Sequence, residues 1–251
     1  MSQLRERARK LALKAVLADW DKYQKEPWLE QYIEAEEKAR DRASLERRIK
    51  AAHTGAFKPM SEFDWNWAEE IDRQQIEDLF TFNFMQEKAN IVLIGTNGLG
   101  KSMIAQNLVH HAIMNGVPSA RFVKASEMLD DLLENDGSFN RRRCMQKWTK
   151  IGLLAIDEVG YMSYDNRFAD LLYEVISGRY QKRSTIVTTN RGYVEWSEIF
   201  PNAACVVTLV DRLVHNAETV IIKGQSYRAK EAVEKAEEKK RQRKQLRAKK
   251  A

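Results

Sequence analysis

The chain has 251 residues, 43% of them hydrophobic and 31% charged, with a mean hydropathy of −0.57. That size suits one core domain plus a small appendage, and no apolar run approaches the ~20 residues a membrane-spanning helix needs. The net charge of +6 divides into +4 over residues 1–60, −6 over 61–222 and +8 over 223–251, so the basicity sits at the two ends.

Residues 2–20 place Leu4, Ala8, Leu11, Ala15 and Ala18 on one helical stripe with Arg and Lys between them. This stretch lacks the apolar centre of a secretion signal. Pro27 can open a second helix through Trp28, Leu29, Tyr32, Ile33 and Ala39, continuing toward Ile49. Residues 1–58 therefore read as a small all-helical domain, joined to residues 59–228 by the linker HTGAFKPMSEFDWNW. From residue 90 onward, strands alternate with helices. The pattern predicts strands at Ile91–Gly95, Ala120–Lys124, Ile151–Asp157, Thr185–Thr189 and Thr219–Ile222, with helices at 102–115, 127–134, 166–181 and 204–216. Such alternation predicts an α/β core with a parallel five-stranded sheet flanked by helices. Residues 229–251 carry little apolar content and read as a basic helix or arm. Cys144 and Cys205 have no Cys or His partners at ligand spacing and read as reduced thiols of a cytoplasmic protein.

The run Gly95-Thr96-Asn97-Gly98-Leu99-Gly100-Lys101-Ser102 fits G-x-x-x-x-G-K-[ST], following a strand and opening a helix. Glycines let such a loop turn its N–H groups inward, and the helix N-terminus adds partial positive charge, which together hold phosphate. Lys101 would reach the β- and γ-phosphates, and Ser102 would hold Mg²⁺. The strand ending in Asp157 and Glu158 puts two carboxylates at the sheet edge where ligands sit. Asp157 suits Mg²⁺ coordination and Glu158 suits polarisation of an attacking water. Asn190 ends the next strand; it would reach that water if its strand lay between the other two, and otherwise serves a turn. Arg212 on an amphipathic helix and Arg228 beyond the last strand could stabilise charge on a transferring phosphoryl group, or be plain surface arginines. Phe63, Trp65 and Trp67 either cover a base or pack the linker, and packing is the plainer reading.

The pieces LLAIDEVGYM, STIVTTN, WSEIFPNAACVVTLVDRLVHNAE and GQSYRAKEA, in this order after the phosphate loop, resemble the IstB family of transposition helper ATPases. That family is related to the loader DnaC and the initiator DnaA within the AAA+ class. The resemblance spans about Leu45 to Ala232. It implies an AAA+ sheet behind a helical domain, ATP and Mg²⁺ as cofactors, homo-oligomeric assembly on duplex DNA and stimulation of a cognate transposase. It makes Lys101 and Ser102 the Walker A pair, Asp157 and Glu158 Walker B, and Asn190 sensor 1. Arg212 resembles the finger that enters a neighbouring subunit, and Arg228 resembles sensor 2. Thr96, Leu99 and Ser163 depart from residues common in the family, without removing a group the chemistry needs. The short chain beyond Arg228 implies no full helical lid.

Candidate DNA contacts are Arg5, Arg7, Arg9, Lys10 and Lys14 near the N-terminus, the run Arg141-Arg142-Arg143, and the C-terminal arm. Each could equally be a solvated face. No base-reading motif is present, so binding would rest on phosphate contacts and fall steeply with salt. A helicase loader of DnaC type would share the ATPase core; the basic, cysteine-free N-terminal piece favours the transposition helper. A small-molecule kinase would share the loop but has no use for the two later arginines.

Overall fold

A computed structural model describes residues 3–135, 137–161, 166–200 and 204–248, and the chain forms two compact units, residues 1–50 and 51–251. Ser163 and the chain beyond Ala248 lie outside the described residues.

The first unit is helical: α1 (Gln3–Lys10), α2 (Lys14–Ala18), α3 (Trp20–Tyr23) and α4 (Trp28–Ala51). The stripe read over residues 2–20 is therefore broken. The Leu13 N–H bonds the Ala8 carbonyl at 3.1 Å, the Ala12 N–H bonds that of Arg9 at 2.9 Å, and Ala12 has φ +52°. These are the two bonds of a Schellman stop, with alanine where glycine is usual, which is why composition did not reveal it. The turn folds the chain back so that Ala8, Leu11, Trp20, Leu29 and Ile33 form one small buried core. Trp28 and Tyr32 lie on the exposed side of α4.

In the second unit a linker runs from Ala51 into α5 (Arg73–Leu79) and α6 (Asn83–Gln86), two short helices that the periodicity did not mark. The linker is tied to the core: Ala52 O accepts the Phe122 N–H at 2.8 Å, and the Asn107 side chain donates to Lys58 O at 2.9 Å. The core then alternates β1 (Asn90–Gly95), α7 (Lys101–Met114), β2 (Ala120–Lys124), α8 (Ala125–Glu134), α9 (Ser138–Thr149), β3 (Leu153–Val159), α10 (Asn166–Arg179) and β4 (Ser184–Thr189). It closes with α11 (Trp196–Ile199), α12 (Val206–Val214), β5 (Ala217–Ile222) and α13 (Tyr227–Ala248). All five strands are parallel, in the order β2-β3-β4-β1-β5. Ile91, Val92 and Leu93 of β1 and Leu153 to Ile156 of β3 are fully buried, as expected of parallel strands covered by helices on both faces. The sequence-based fold class is thus the observed one. The order places β4 between β1 and β3, so the C-terminal ends of all three open on one edge.

Two local features correct the predicted boundaries. β3 starts at Leu153 because the Gly152 N–H bonds the Ser119 hydroxyl at 3.0 Å, outside the ladder. It runs on to Val159 through a bulge that shifts its register against β4 between Ile156 and Val159.

One buried arginine organises the opposite edge of the sheet. Arg179, 1% exposed, donates to Thr185 Oγ1 at 2.9 Å and to the carbonyls of Trp148 (3.0 Å), Ile151 (2.7 Å) and Ser184 (2.6 Å). Its guanidinium fork closes the C-terminal end of α9 and joins it to the starts of β3 and β4. Arg179→Met should leave those acceptors unpaired in the core and lower stability by about 3 kcal/mol, read from urea unfolding midpoints. A loss below about 1 kcal/mol would mean that water or a shifted backbone replaces the fork.

Candidate functional site

The turn from β1 into α7 is a loop closed around two glycines with left-handed backbone, Gly98 (φ +82°) and Gly100 (φ +89°). Space forbids side chains there as firmly as torsion does: a Cβ on Gly100 would stand 2.5 Å from the Phe63 ring, and one on Gly98 would strike the Ser226 hydroxyl. The loop is held from the far side too. The Tyr227 N–H bonds Gly98 O at 3.0 Å, and Thr96 Oγ1 donates to Gly224 O at 3.4 Å. Lys101, 8% exposed, donates from Nζ to the carbonyls of Gly95 (2.6 Å) and Thr96 (2.8 Å).

Burial pushes the Lys101 ammonium down to about 8, with Asp157 and Glu158 opposing the fall and Arg228 adding to it. A phosphate brought to the loop stabilises the charged form and raises that pKa again. Binding of ATP should therefore take up a proton where the free lysine is neutral. Affinity should be flat below pH 7 and decline as pH rises through 8, toward tenfold per pH unit until the raised pKa is reached. Titration calorimetry in buffers of different ionisation heat checks this: proton uptake at pH 8.5 and little at pH 6.5 is expected. Equal uptake at both would contradict it.

Beside the lysine, Ser102 Oγ donates to Asp157 Oδ1 at 2.9 Å, and Thr188 Oγ1 donates to the same oxygen at 2.5 Å. Asp157 is 3% exposed; burial raises its pKa, opposed by those two hydrogen bonds, while Glu158 adds to the rise. A hard cation resolves that frustration. Ser102 and Asp157 offer two adjacent oxygens of the type Mg²⁺ takes, leaving further ligands to water and phosphate. Among the described residues no cluster of three or more His, Cys, Asp or Glu could hold a metal unaided.

Glu158 sits in the β3 bulge with φ +62°, and its carboxylate lies 3.2 Å from Lys124 Nζ at the end of β2. Asn190 has a buried Oδ1 with no hydrogen-bond partner, a polar atom prepared for one more ligand. A small cavity brings Asn97, Lys101, Ser102, Glu158, Asn190 and Arg228 together. A larger one of about 320 Å³ adjoins the loop, lined by Phe57, Phe63, Trp67, Leu99 and Tyr227, with Arg228 on both. Aromatic walls beside a phosphate loop are the surroundings a purine base requires.

Residues 2–235 match the family described as IstB-like ATP binding protein. The chain belongs to that family. It is 36% identical over 180 residues to the ATP-binding protein of insertion sequence IS232 from Bacillus thuringiensis subsp. berliner, covering 70% of this chain and 72% of the relative. It is 30% identical over 199 residues to that of IS21 from Pseudomonas aeruginosa, covering 79% and 75%. The crystal structure of DnaI shares the fold, with a TM-score of 0.53 and 17% identity over 67% of this chain and 89% of that one.

Arg212 of this IstB-like chain is not in the cavity. It lies on α12 with its guanidinium 5.0 Å from the Tyr173 ring centre and 5.9 Å from that of Tyr180. The next residue, Leu213, accepts a hydrogen bond from Asn90 at the start of β1, the edge of the sheet away from the phosphate loop. The basic candidates also separate. Arg7 is forked onto Glu37 at 2.7 and 3.1 Å, Arg5 stands over the Trp20 ring and Arg141 pairs with Glu174 at 2.7 Å. Arg9, Lys10, Lys14, Arg142 and Arg143 are exposed. Lys147 on α9 and Lys150 just past its end lie with Arg143 beside a shallow groove. Both cysteines are free thiols, and burial raises their pKa to about 11.

Reading the sequence missed Thr188 and Lys124, and it preferred linker packing for Phe63 and Trp67, which line the larger cavity. Thr188 had little signal, since Ser184, Thr185 and Thr189 also put hydroxyls on its strand. Lys124 had none, because its partnership with Glu158 depends on β2 lying beside β3.

Proposed function

We propose that this IstB-like chain is an ATP-dependent, DNA-binding AAA+ helper of transposition. It hydrolyses ATP with Mg²⁺, oligomerises on duplex DNA, selects or remodels target DNA and stimulates a cognate transposase. The observation that carries this reading is the convergence of loop, carboxylates, amide and arginine on one sheet edge, with Arg212 kept at the other. Such an arrangement holds a nucleotide within one subunit and offers an arginine to the next.

ATP would seat its phosphates on the Gly98–Ser102 loop with its base against Phe63, Trp67 and Tyr227. Mg²⁺ would take Ser102 and Asp157 and withdraw charge from the phosphates when bound. Glu158 and Asn190 would orient the water, and Arg228 would contact the terminal phosphate from the start of α13. Arg142, Arg143, Lys10, Lys14 and the basic C-terminal helix are the groups suited to phosphates of DNA. The insertion-sequence names of the relatives support the transposition setting over helicase loading.

The test is Mg²⁺-dependent ATP hydrolysis measured with and without duplex DNA over a salt series. Stimulation by DNA of unrelated sequences, lost steeply as salt rises, is expected. Hydrolysis indifferent to DNA would overturn the reading.

A further inference from the structure

The bulge in β3 raises the question of what keeps Glu158 in a left-handed backbone that glutamate disfavours. Ile156 is paired with Val187 and Val159 with Thr189, so β3 spends one more residue than β4 across this stretch. The extra residue leaves the Glu158 N–H without a ladder carbonyl. Its acceptor is instead the Thr188 hydroxyl, at 2.9 Å. The same hydroxyl reaches Asp157 Oδ1. Chemistry fixes both directions: an amide can only donate, and an ionised carboxylate can only accept. Thr188 is 1% exposed, so water does not compete for either bond.

We infer that Thr188 is a positioning residue for ATP hydrolysis, its single hydroxyl holding the Asp157 carboxylate and the Glu158 backbone together so that Glu158 faces the phosphates. This rests on the hydrolysis reading above. Serine supplies the same donor and acceptor. Valine has the same shape and neither.

The experiment compares full-length wild type, Thr188→Val, Thr188→Ser and Glu158→Gln. Steady-state ATPase with Mg²⁺ and duplex DNA is measured alongside affinity for a fluorescent ATP analogue, melting temperature and crystal structures. Thr188→Val should lower kcat by roughly 10- to 100-fold, since an ångström of misplacement costs that much. KM and nucleotide affinity should stay within about threefold, and residue 158 should leave its positive φ. Thr188→Ser should keep the bulge and return kcat to within about threefold of wild type. A valine protein that turns over normally, or a serine protein that falls as far as valine, would overturn the assignment. If the valine protein does not fold, Thr188→Ala is judged by the same readouts. Wild type without turnover, matching Glu158→Gln, would overturn the hydrolysis reading and this inference together. Active wild type, inactive Glu158→Gln and active Thr188→Val would overturn this inference alone.

Discussion

Glu158→Gln is expected to lower ATP turnover by roughly 10²- to 10⁴-fold, the range a general base supplies, while leaving nucleotide binding intact. The two halves of that expectation come from different parts of the site. Binding would draw on the loop amides, Lys101 and the aromatic wall, of which only Lys101 feels the Glu158 charge, and that less than its own burial. Hydrolysis needs a negative charge that takes up the proton of water, and glutamine keeps the volume without the charge. The backbone geometry at 158 should persist, because Thr188 holds the N–H and not the side chain. Single-turnover hydrolysis beside equilibrium binding of the ATP analogue separates the outcomes. Loss of binding would mean that Glu158 holds the nucleotide, and undiminished turnover would move the base elsewhere, with Asp157 the neighbouring carboxylate.

Arg212→Ala is expected to lower hydrolysis in the assembled state by roughly 10³-fold, at the low end of what arginine fingers contribute. Geometry keeps this residue from its own phosphates. Leu213 is bonded to Asn90, and Asn90 and Gly95 are the two ends of β1, roughly 16 Å apart at ~3.3 Å per residue. An arginine starting that far off, and directed toward Tyr173, serves a second subunit or none. Subunits bearing Arg212→Ala should therefore regain activity when mixed with Glu158→Gln subunits. The first supplies an intact Glu158 and the second an intact Arg212. No recovery in the mixture, with both proteins assembling normally, would confine Arg212 to packing against α10.

What could be read from the sequence was what depends on local order. The phosphate loop, the acidic end of β3 and the polar end of β4 each announce themselves within a few residues, and strand–helix alternation carried the sheet. The position of Asn190 was conditional on strand order, and the order β3-β4-β1 meets the condition. What depends on tertiary neighbours was not legible. Arg179 looks like any surface arginine at a helix end, yet it joins four backbone and hydroxyl acceptors in the core. Arg5, Arg7 and Arg141 read as free charge and are engaged within the chain. The broken helix at Ala12 escaped because the residue in the left-handed position is not glycine.

ATP and duplex DNA are expected to drive copies of this chain to assemble so that each completes its neighbour's site. Light scattering of the full-length protein, alone and with ATP, with duplex DNA and with both, tests it most directly. The mass should rise sharply with ATP and DNA together and less with either alone. A protein that stays monomeric under all four conditions would contradict it.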